Sequence, residues 1–160
     1  ILYVDTFECY NQAAFGDIVA KYFHLYKSFE GIVVNGLMRD IHAISRLGYP
    51  VWSKGITPLG CFNRKVEPSE EIVKAANEKR KEIEGGIIVA DDSGVTIIKK
   101  ELINQNTLDR LHFIELQEDI WFYCLDTLKW STYKTICLKD YLKDPDILPK
   151  VLRDKLEKLS

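Results

Sequence analysis

The sequence predicts an α/β domain built on a mostly parallel sheet, and three observations carry that prediction. Short apolar runs at residues 1–5, 31–35 and 50–53 are separated by stretches whose apolar residues recur at helical spacing, 13–29 and 38–47. The runs are near-continuous rather than alternating, which is how strands buried on both faces read. The connections are long enough for crossover helices, so a β-α-β-α-β order follows, with helices covering the sheet.

The elements follow in order. Residues 1–5 (Ile-Leu-Tyr-Val-Asp) read as a buried strand ending in an acid. The chain opens at this strand, as though entered within a domain, and upstream residues are expected to precede it. Residues 6–12 are polar and irregular. Ile18, Val19, Tyr22, Phe23, Tyr26 and Phe29 mark the first helix, with Gly16-Asp17 near its start. The second strand, 31–35, is closed by Gly36. Ile41, Ile44 and Leu47 define a short helix with those residues inward, stopped by Gly48 as a glycine after a helix does. Residues 50–53 make the third strand, and 54–61 a loop containing Gly55, Pro58 and Gly60. Ser69 caps a charged helix from Glu70 to about Ile83, with Glu70 and Glu71 complementing its dipole. Gly85-Gly86 ends it, and Ile87 to Ile98 folds as a β-hairpin around Asp92-Ser93-Gly94. The aromatic and β-branched stretch 119–137 reads as two strands. In the last amphipathic stretch, 146–159, Ile147, Leu148, Val151, Leu152, Leu156 and Leu159 share a face. The domain division expected is 1–107 for the α/β domain and 108–160 for an aromatic-rich C-terminal extension.

Composition narrows function only by exclusion. The 160 residues carry a net charge of −2, with 46% hydrophobic and 29% charged residues. That balance suits one globular domain and gives no global basic field for nucleic acid. No run approaches the ~20 apolar residues of a membrane span, and no signal peptide is visible. Cys9, Cys61, Cys124 and Cys137 form no CxxC pair or zinc-like spacing and read as reduced thiols, so a cytoplasmic protein without membrane or nucleic-acid partners is expected. His24, His42 and His112 are scattered, and only His42, beside Asp40, falls near a candidate site.

Ligands in open parallel sheets gather at the carboxyl ends of the strands. The informative stretch there is Gly31-Ile32-Val33-Val34-Asn35-Gly36-Leu37-Met38-Arg39-Asp40, a strand, a turn and an adjacent Arg-Asp at a helix start. A helix N-terminus favours an anion, Arg39 can grip a carboxylate with two bonds, and Asp40 can offer a hard oxygen to Mg²⁺. Together they suit a metal-chelating small molecule that bears a carboxylate. A second candidate is Gly16-Asp17, where the backbone N–H groups of Ile18 and Val19 could bind a carboxylate and Asp17 could orient water. Taken singly, each feature reads more simply as a helix-start acid or a surface ion pair than as a site.

Taken together, the segments resemble the RraA-like family. The resemblance is carried by Ala14-Phe15-Gly16-Asp17, by residues 31–40, by Leu47-Gly48-Tyr49-Pro50-Val51-Trp52, and by residues 87–98 with their Asp91-Asp92-Ser93-Gly94 turn, in the family's order. The family includes class II aldolases acting on 4-hydroxy-4-methyl-2-oxoglutarate and 4-carboxy-4-hydroxy-2-oxoadipate, and the regulator of ribonuclease E activity. The resemblance implies a swivelling β/β/α-type domain. It implies a divalent-metal-dependent lyase, with Mg²⁺ or Mn²⁺, that releases pyruvate from a 2-oxo acid by retro-aldol cleavage or oxaloacetate decarboxylation; the alternative is a non-catalytic regulator binding a protein such as a ribonuclease. Asp40 would anchor the metal, Arg39 contact the substrate and the developing enolate, and Asp17 hold water. Gly16, Ile18 and Val19 would line the substrate, with the amides of Ile18 and Val19 on its carboxylate. The resemblance also implies a homotrimer or hexamer with the site between subunits; Glu8 and Asp92 are possible acids contributed across it. The 21 residues between Asp17 and Arg39 are one more than the family's usual spacing, which an insertion near residues 27–30 absorbs. No Schiff-base lysine is needed, and Lys21 and Lys54 read as solvated. The charged helix at 70–83 stands where the family has a glycine-rich strand segment, and residues 108–160 match nothing in it.

Overall fold

The computed structural model describes residues 1–7, 9–62 and 66–159. The chain divides into two compact units, Ile1–Lys100 and Glu101–Ser160.

The first unit contains the expected alternation. Strands β1 (Leu2–Asp5), β2 (Ile32–Met38) and β3 (Val51–Ile56) form a parallel sheet in the order β1-β2-β3. Helix α1 (Asp17–Lys27) connects the first pair and α2 (Ile41–Arg46) the second. The register runs Leu2 to Ile32 through Asp5 to Asn35, and Ile32 to Val51 through Val34 to Ser53. Beyond Val34 the pairing shifts, so that Leu37 meets Gly55. The strand therefore does not stop at Gly36 but runs through it to Met38. Gly36 is required there for a steric reason, since a Cβ on it would overlap the Thr6 side chain, whose hydroxyl donates to Asn35 O at 3.1 Å.

The core of this unit is Ala20, Ile32, Val34, Met38 and Ile44, with Phe15, Phe23, Tyr49 and Val51 packed against it. Helix α1 turns Ala20 and Phe23 inward. Its other apolar residues stay in solvent: Ile18 is 80% exposed and Tyr26 73%, with Val19, Tyr22 and Leu25 also exposed. On α2, Ile44 is buried and Ile41 packs on the core, but Leu47, expected inward, is exposed. Helical spacing alone does not say which stripe faces the sheet.

Helix α3 (Glu70–Ile83) follows as predicted, with Ser69 Oγ accepting the Ile72 N–H at 3.3 Å. Ser69→Ala is expected to lower stability by about 1 kcal/mol, read by denaturant titration. Gly85, at φ +79°, lets the chain leave the helix. Strands β4 (Ile87–Asp91) and β5 (Gly94–Ile98) form the antiparallel hairpin, its turn closed by Ser93 and Gly94 N–H groups donating to Asp91 Oδ1 at 2.7 and 3.2 Å. Trp52 Nε1 donates to Asp91 O at 2.8 Å, joining the hairpin to β3.

Glu82 on α3 pairs with Lys79 at 2.6 Å and with Lys99, just beyond β5, at 3.0 Å. Hydrogen bonds from Lys79 and then Lys99 pull its carboxyl from an ordinary 4.5 down to about 2. A carboxyl whose folded value is depressed stabilises the fold fully above its unfolded value, and that support is lost as pH falls through the folded one. Glu82→Gln is therefore expected to remove part of the acid dependence of stability between about pH 4.5 and 2, measured as a flattened change in urea midpoint across that window. The group is at the surface, so the effect is small and shrinks in salt.

The second unit corrects the sequence reading. Residues 119–137 are not two strands. Helix α4 (Gln105–Asp126) occupies the first part, and a single π-helical turn spans Tyr133–Cys137. Aromatic and β-branched composition favours strands only as a weak preference. Here the four-residue spacing of Leu116, Ile120 and Cys124 decides, because those residues bury one helix face against Tyr141 and Leu148. Asn104 starts the helix, its Oδ1 accepting Thr107 N–H at 3.1 Å. The expected boundary at 107/108 falls within the first turn of this helix. Helix α5 (Lys150–Leu159) brings Leu152 and Leu156 into the same cluster, with Ile147 preceding it, while Val151, expected on that face, is 66% exposed. No helix among the described residues is long and apolar enough to cross a membrane, and all four cysteines are free thiols.

Candidate active site

The residues that the sequence singles out converge on one cavity in the first unit. Gly16, Asp17, Ile18 and Val19, at the start of α1, line it together with Arg39 and Asp40, which follow β2. Its volume is about 260 Å³, and residues 13–15, Gly60 and Cys61 complete the wall. Chain direction explains the convergence. Parallel strands deliver their carboxyl ends to one edge, and residues 13–14 run along that edge. Ala14 N donates to Leu37 O at 2.9 Å, Ala13 N to Leu59 O at 2.7 Å, and Arg39 N to Phe15 O at 3.2 Å. These bonds fasten the entry to α1 between the ends of β2 and β3.

Asp40 adopts left-handed backbone, φ +59°, a conformation that aspartate tolerates better than most residues. Its side chain makes no capping bond to α2. Helix α2 is only six residues long, and Arg39 and Asp40 line a cavity together with the first turn of α1. Asp40 Oδ2 pairs with Arg39 Nε at 3.3 Å, both side chains being nearly half exposed.

Two glycines make this packing possible. A Cβ on Gly16 would overlap Asp40 Oδ2 and lie 3.0 Å from Arg39 Cγ. A Cβ on Gly60 would lie 2.5 Å from Arg39 Nη1 and 3.3 Å from its Cζ. Gly60 thus gives the guanidinium its resting place, a role that sequence reading missed. The available signal was its position just beyond the third strand, on the edge where ligands gather. Gly60→Ala is expected to displace Arg39 and weaken oxalate binding by roughly tenfold, as for loss of one hydrogen bond to a charged group, with the melting temperature little changed. Calorimetric titration beside a thermal melt checks it.

Asp17 Oδ1 accepts the Ile18 N–H at 2.8 Å. One of the two amides expected to hold a substrate carboxylate is thus already occupied by a carboxylate of the chain itself. A ligand entering there would have to share or displace it. At the ends of β1 and β2, Asp5 Oδ2 accepts from Asn35 Nδ2 at 2.8 Å and from the Tyr3 hydroxyl at 3.4 Å. Burial, and then Asp5, push the Tyr3 hydroxyl above its ordinary value. Burial, and then Cys61, likewise push the Cys9 thiol up. Asp92 sits in the hairpin turn and does not line the cavity, while Glu8 lies outside the described residues.

Among the described residues no group of three or more His, Cys, Asp or Glu could hold a metal by itself. That donor set does not make a closed structural zinc site. It does fit Mg²⁺, which is commonly held by one or two carboxylates and completes its shell with water and ligand oxygens. Asp40 is the carboxylate that would hold it, and Asp17 lines the same cavity.

The family model described as RraA-like, Aldolase/RraA, matches residues 1–97. The chain belongs to the RraA-like family. The fold agrees with other solved structures. Streptomyces coelicolor RraAS2, described as an unusual member of the RNase ES inhibitor RraA protein family, superposes with a TM-score of 0.51 at 24% identity, over 74% of this chain and 59% of that one. An uncharacterized protein from Pseudomonas syringae pv. tomato gives a TM-score of 0.52 at 20% identity, over 78% of this chain and 60% of that one. At these identities the likeness speaks to fold. The uncharacterized protein MJ0644 of Methanocaldococcus jannaschii is 35% identical over 82 residues, 47% of this chain and 35% of that protein. This RraA-like chain thus spans only part of the length of the relatives that it matches.

Proposed function

We propose that the chain is a divalent-metal-dependent lyase that releases pyruvate from a small 2-oxo acid, by retro-aldol cleavage of 4-hydroxy-4-methyl-2-oxoglutarate-type substrates, by oxaloacetate decarboxylation, or both. The observation that carries this reading is the single cavity uniting the first turn of α1 with Arg39 and Asp40. The α1 amides, with Val19 and a released Ile18, take the substrate carboxylate. Arg39 holds the 2-oxo oxygen, where negative charge grows as the bond breaks. Asp40 would hold Mg²⁺ or Mn²⁺, which when bound would supply Lewis-acid polarisation of the 2-oxo acid. Asp17 orients water that takes the proton from the 4-hydroxyl. The C3–C4 electron pair stays with C3, giving pyruvate enolate, and the 4-hydroxyl carbon leaves as a carbonyl. Protonation at C3 then yields pyruvate. We place the protein in the cytoplasm as a homotrimer or hexamer.

The test is a coupled pyruvate-release assay on both substrates, with and without Mg²⁺ or Mn²⁺. Metal-dependent release is expected, and none above the Asp40→Ala variant would refute the reading. One observation favours a second reading, a regulator that binds a protein partner: the exposed apolar stripe of Ile18, Tyr22 and Tyr26 on α1. A stable partner captured equally by the native chain and by the Arg39→Ala/Asp40→Ala double variant, with no turnover, would support it instead.

A further inference from the structure

A second cavity, of about 470 Å³, has Arg39 and Asp40 in its wall together with His42, Ile56, Thr57 and Pro58. The ion pair is therefore shared between two openings, the smaller facing the start of α1 and the larger facing the start of α2 and the end of β3. The backbone fixes this arrangement. Thr57 N donates to Met38 O at 2.9 Å, which fastens the 56–58 segment beside the residues that lead into Arg39. The left-handed turn at Asp40 then carries the chain directly into α2, where Ile44 N donates to Asp40 O at 3.2 Å. His42 thus stands two residues beyond Asp40 with its side chain in the wall of the larger opening.

A lyase that breaks a carbon–carbon bond must house two fragments, one on either side of the bond. Under the function proposed above, on which this inference rests, the pyruvyl half occupies the smaller cavity, against the α1 amides. We propose that the departing half occupies the larger cavity, where His42 binds its oxygen-bearing end and selects for it. The lining states the chemical class. An imidazole and the Thr57 hydroxyl present hydrogen-bonding groups to a carboxylate or carbonyl, and Ile56 and Pro58 present apolar surface to an alkyl substituent. The departing fragment is thus a short, alkyl-bearing oxo acid. In oxaloacetate the departing group is a lone carboxylate with no alkyl substituent, which leaves as carbon dioxide, so it has no apolar part to set against Ile56 and Pro58 and draws less from this cavity.

The experiment compares the full native chain with His42→Ala and His42→Gln in three measurements. Calorimetry with oxalate and Mn²⁺ reads the pyruvyl half alone. Steady-state kinetics on 4-hydroxy-4-methyl-2-oxoglutarate and on oxaloacetate read the two departing fragments. His42→Ala is expected to retain oxalate binding. It should lower the ratio of kcat/KM between the hydroxy acid and oxaloacetate by roughly 10–100-fold, the range for a lost hydrogen bond to a charged group, mainly through KM. His42→Gln should recover a good part of that ratio. An unchanged ratio in His42→Ala overturns the assignment, as does an equal loss on both substrates. If the native chain neither binds oxalate nor turns over either substrate, the proposed function itself fails and takes this assignment with it. Oxalate binding with an unchanged ratio rejects only the role of His42.

Discussion

Asp40→Asn is expected to lower metal-dependent pyruvate release by roughly 10²–10³-fold, the range for removing one group that stabilises developing charge, while leaving the melting temperature nearly unchanged. Asparagine keeps the size of the side chain and tolerates the left-handed backbone that Asp40 adopts, so the substitution removes charge and little else. Asp40→Ala should lose the same activity and in addition about 1 kcal/mol of stability, because alanine at φ +59° is strained where aspartate and asparagine are tolerated. The pair of variants separates chemistry from backbone. Turnover of Asp40→Asn within a few-fold of the native chain would remove Asp40 from the reaction. Thermal melts and the pyruvate assay on the same preparations provide the comparison.

Gly16→Ala is expected to have nearly as large an effect on activity, although it adds only a methyl group. Gly16 has extended backbone, φ −127° and ψ −156°, which alanine adopts freely, so no conformational strain arises. The new Cβ instead overlaps Asp40 Oδ2, which must shift. The obstructed atom is the end of a side chain that is 44% exposed, and it can swing into solvent. The stability cost therefore stays near the low end of overpacking, about 1 kcal/mol. The functional cost is that of moving the metal-binding carboxylate and crowding Arg39 Cγ. Oxalate titrated with Mn²⁺ should bind at least tenfold more weakly than to the native chain, as for a lost hydrogen bond to a charged group. Unaltered affinity would show that Asp40 need not lie against Gly16.

The first hundred residues were largely legible because local and long-range signals agree there. Apolar runs without alternation mark strands buried in a parallel sheet, and Ser69, Gly85 and the Asp92-Ser93-Gly94 turn mark boundaries through backbone chemistry that neighbouring residues alone decide. The cavity was legible as residue types at strand ends. Its packing was not. That a Cβ at Gly60 would strike Arg39 depends on where the chain beyond β3 comes to rest, which no local pattern contains. The side of α1 that faces the sheet was hidden for a similar reason. Ile18, Tyr22 and Tyr26 form a better apolar stripe than Ala20 and Phe23, yet it is the latter that meet the sheet. In the second unit, aromatic content pointed to strands while the four-residue spacing of Leu116, Ile120 and Cys124 pointed to a helix, and burial of that face against Tyr141 and Leu148 settled it. The boundary near residue 107 was obscured because α4 begins at Gln105, only a few residues into the second unit.

If the start of α1 and the Arg39-Asp40 pair form one site for a 2-oxo acid and its metal, both ligands should be found there together. Crystals of the full chain grown with Mn²⁺ and oxalate, with anomalous diffraction recorded at the manganese edge, test it most directly. One manganese peak is expected at the Asp40 carboxylate, with oxalate chelating it, one carboxylate of the oxalate against the amides of α1 and the other within reach of Arg39. Manganese bound elsewhere, or oxalate bound without contact to either Arg39 or α1, would contradict it.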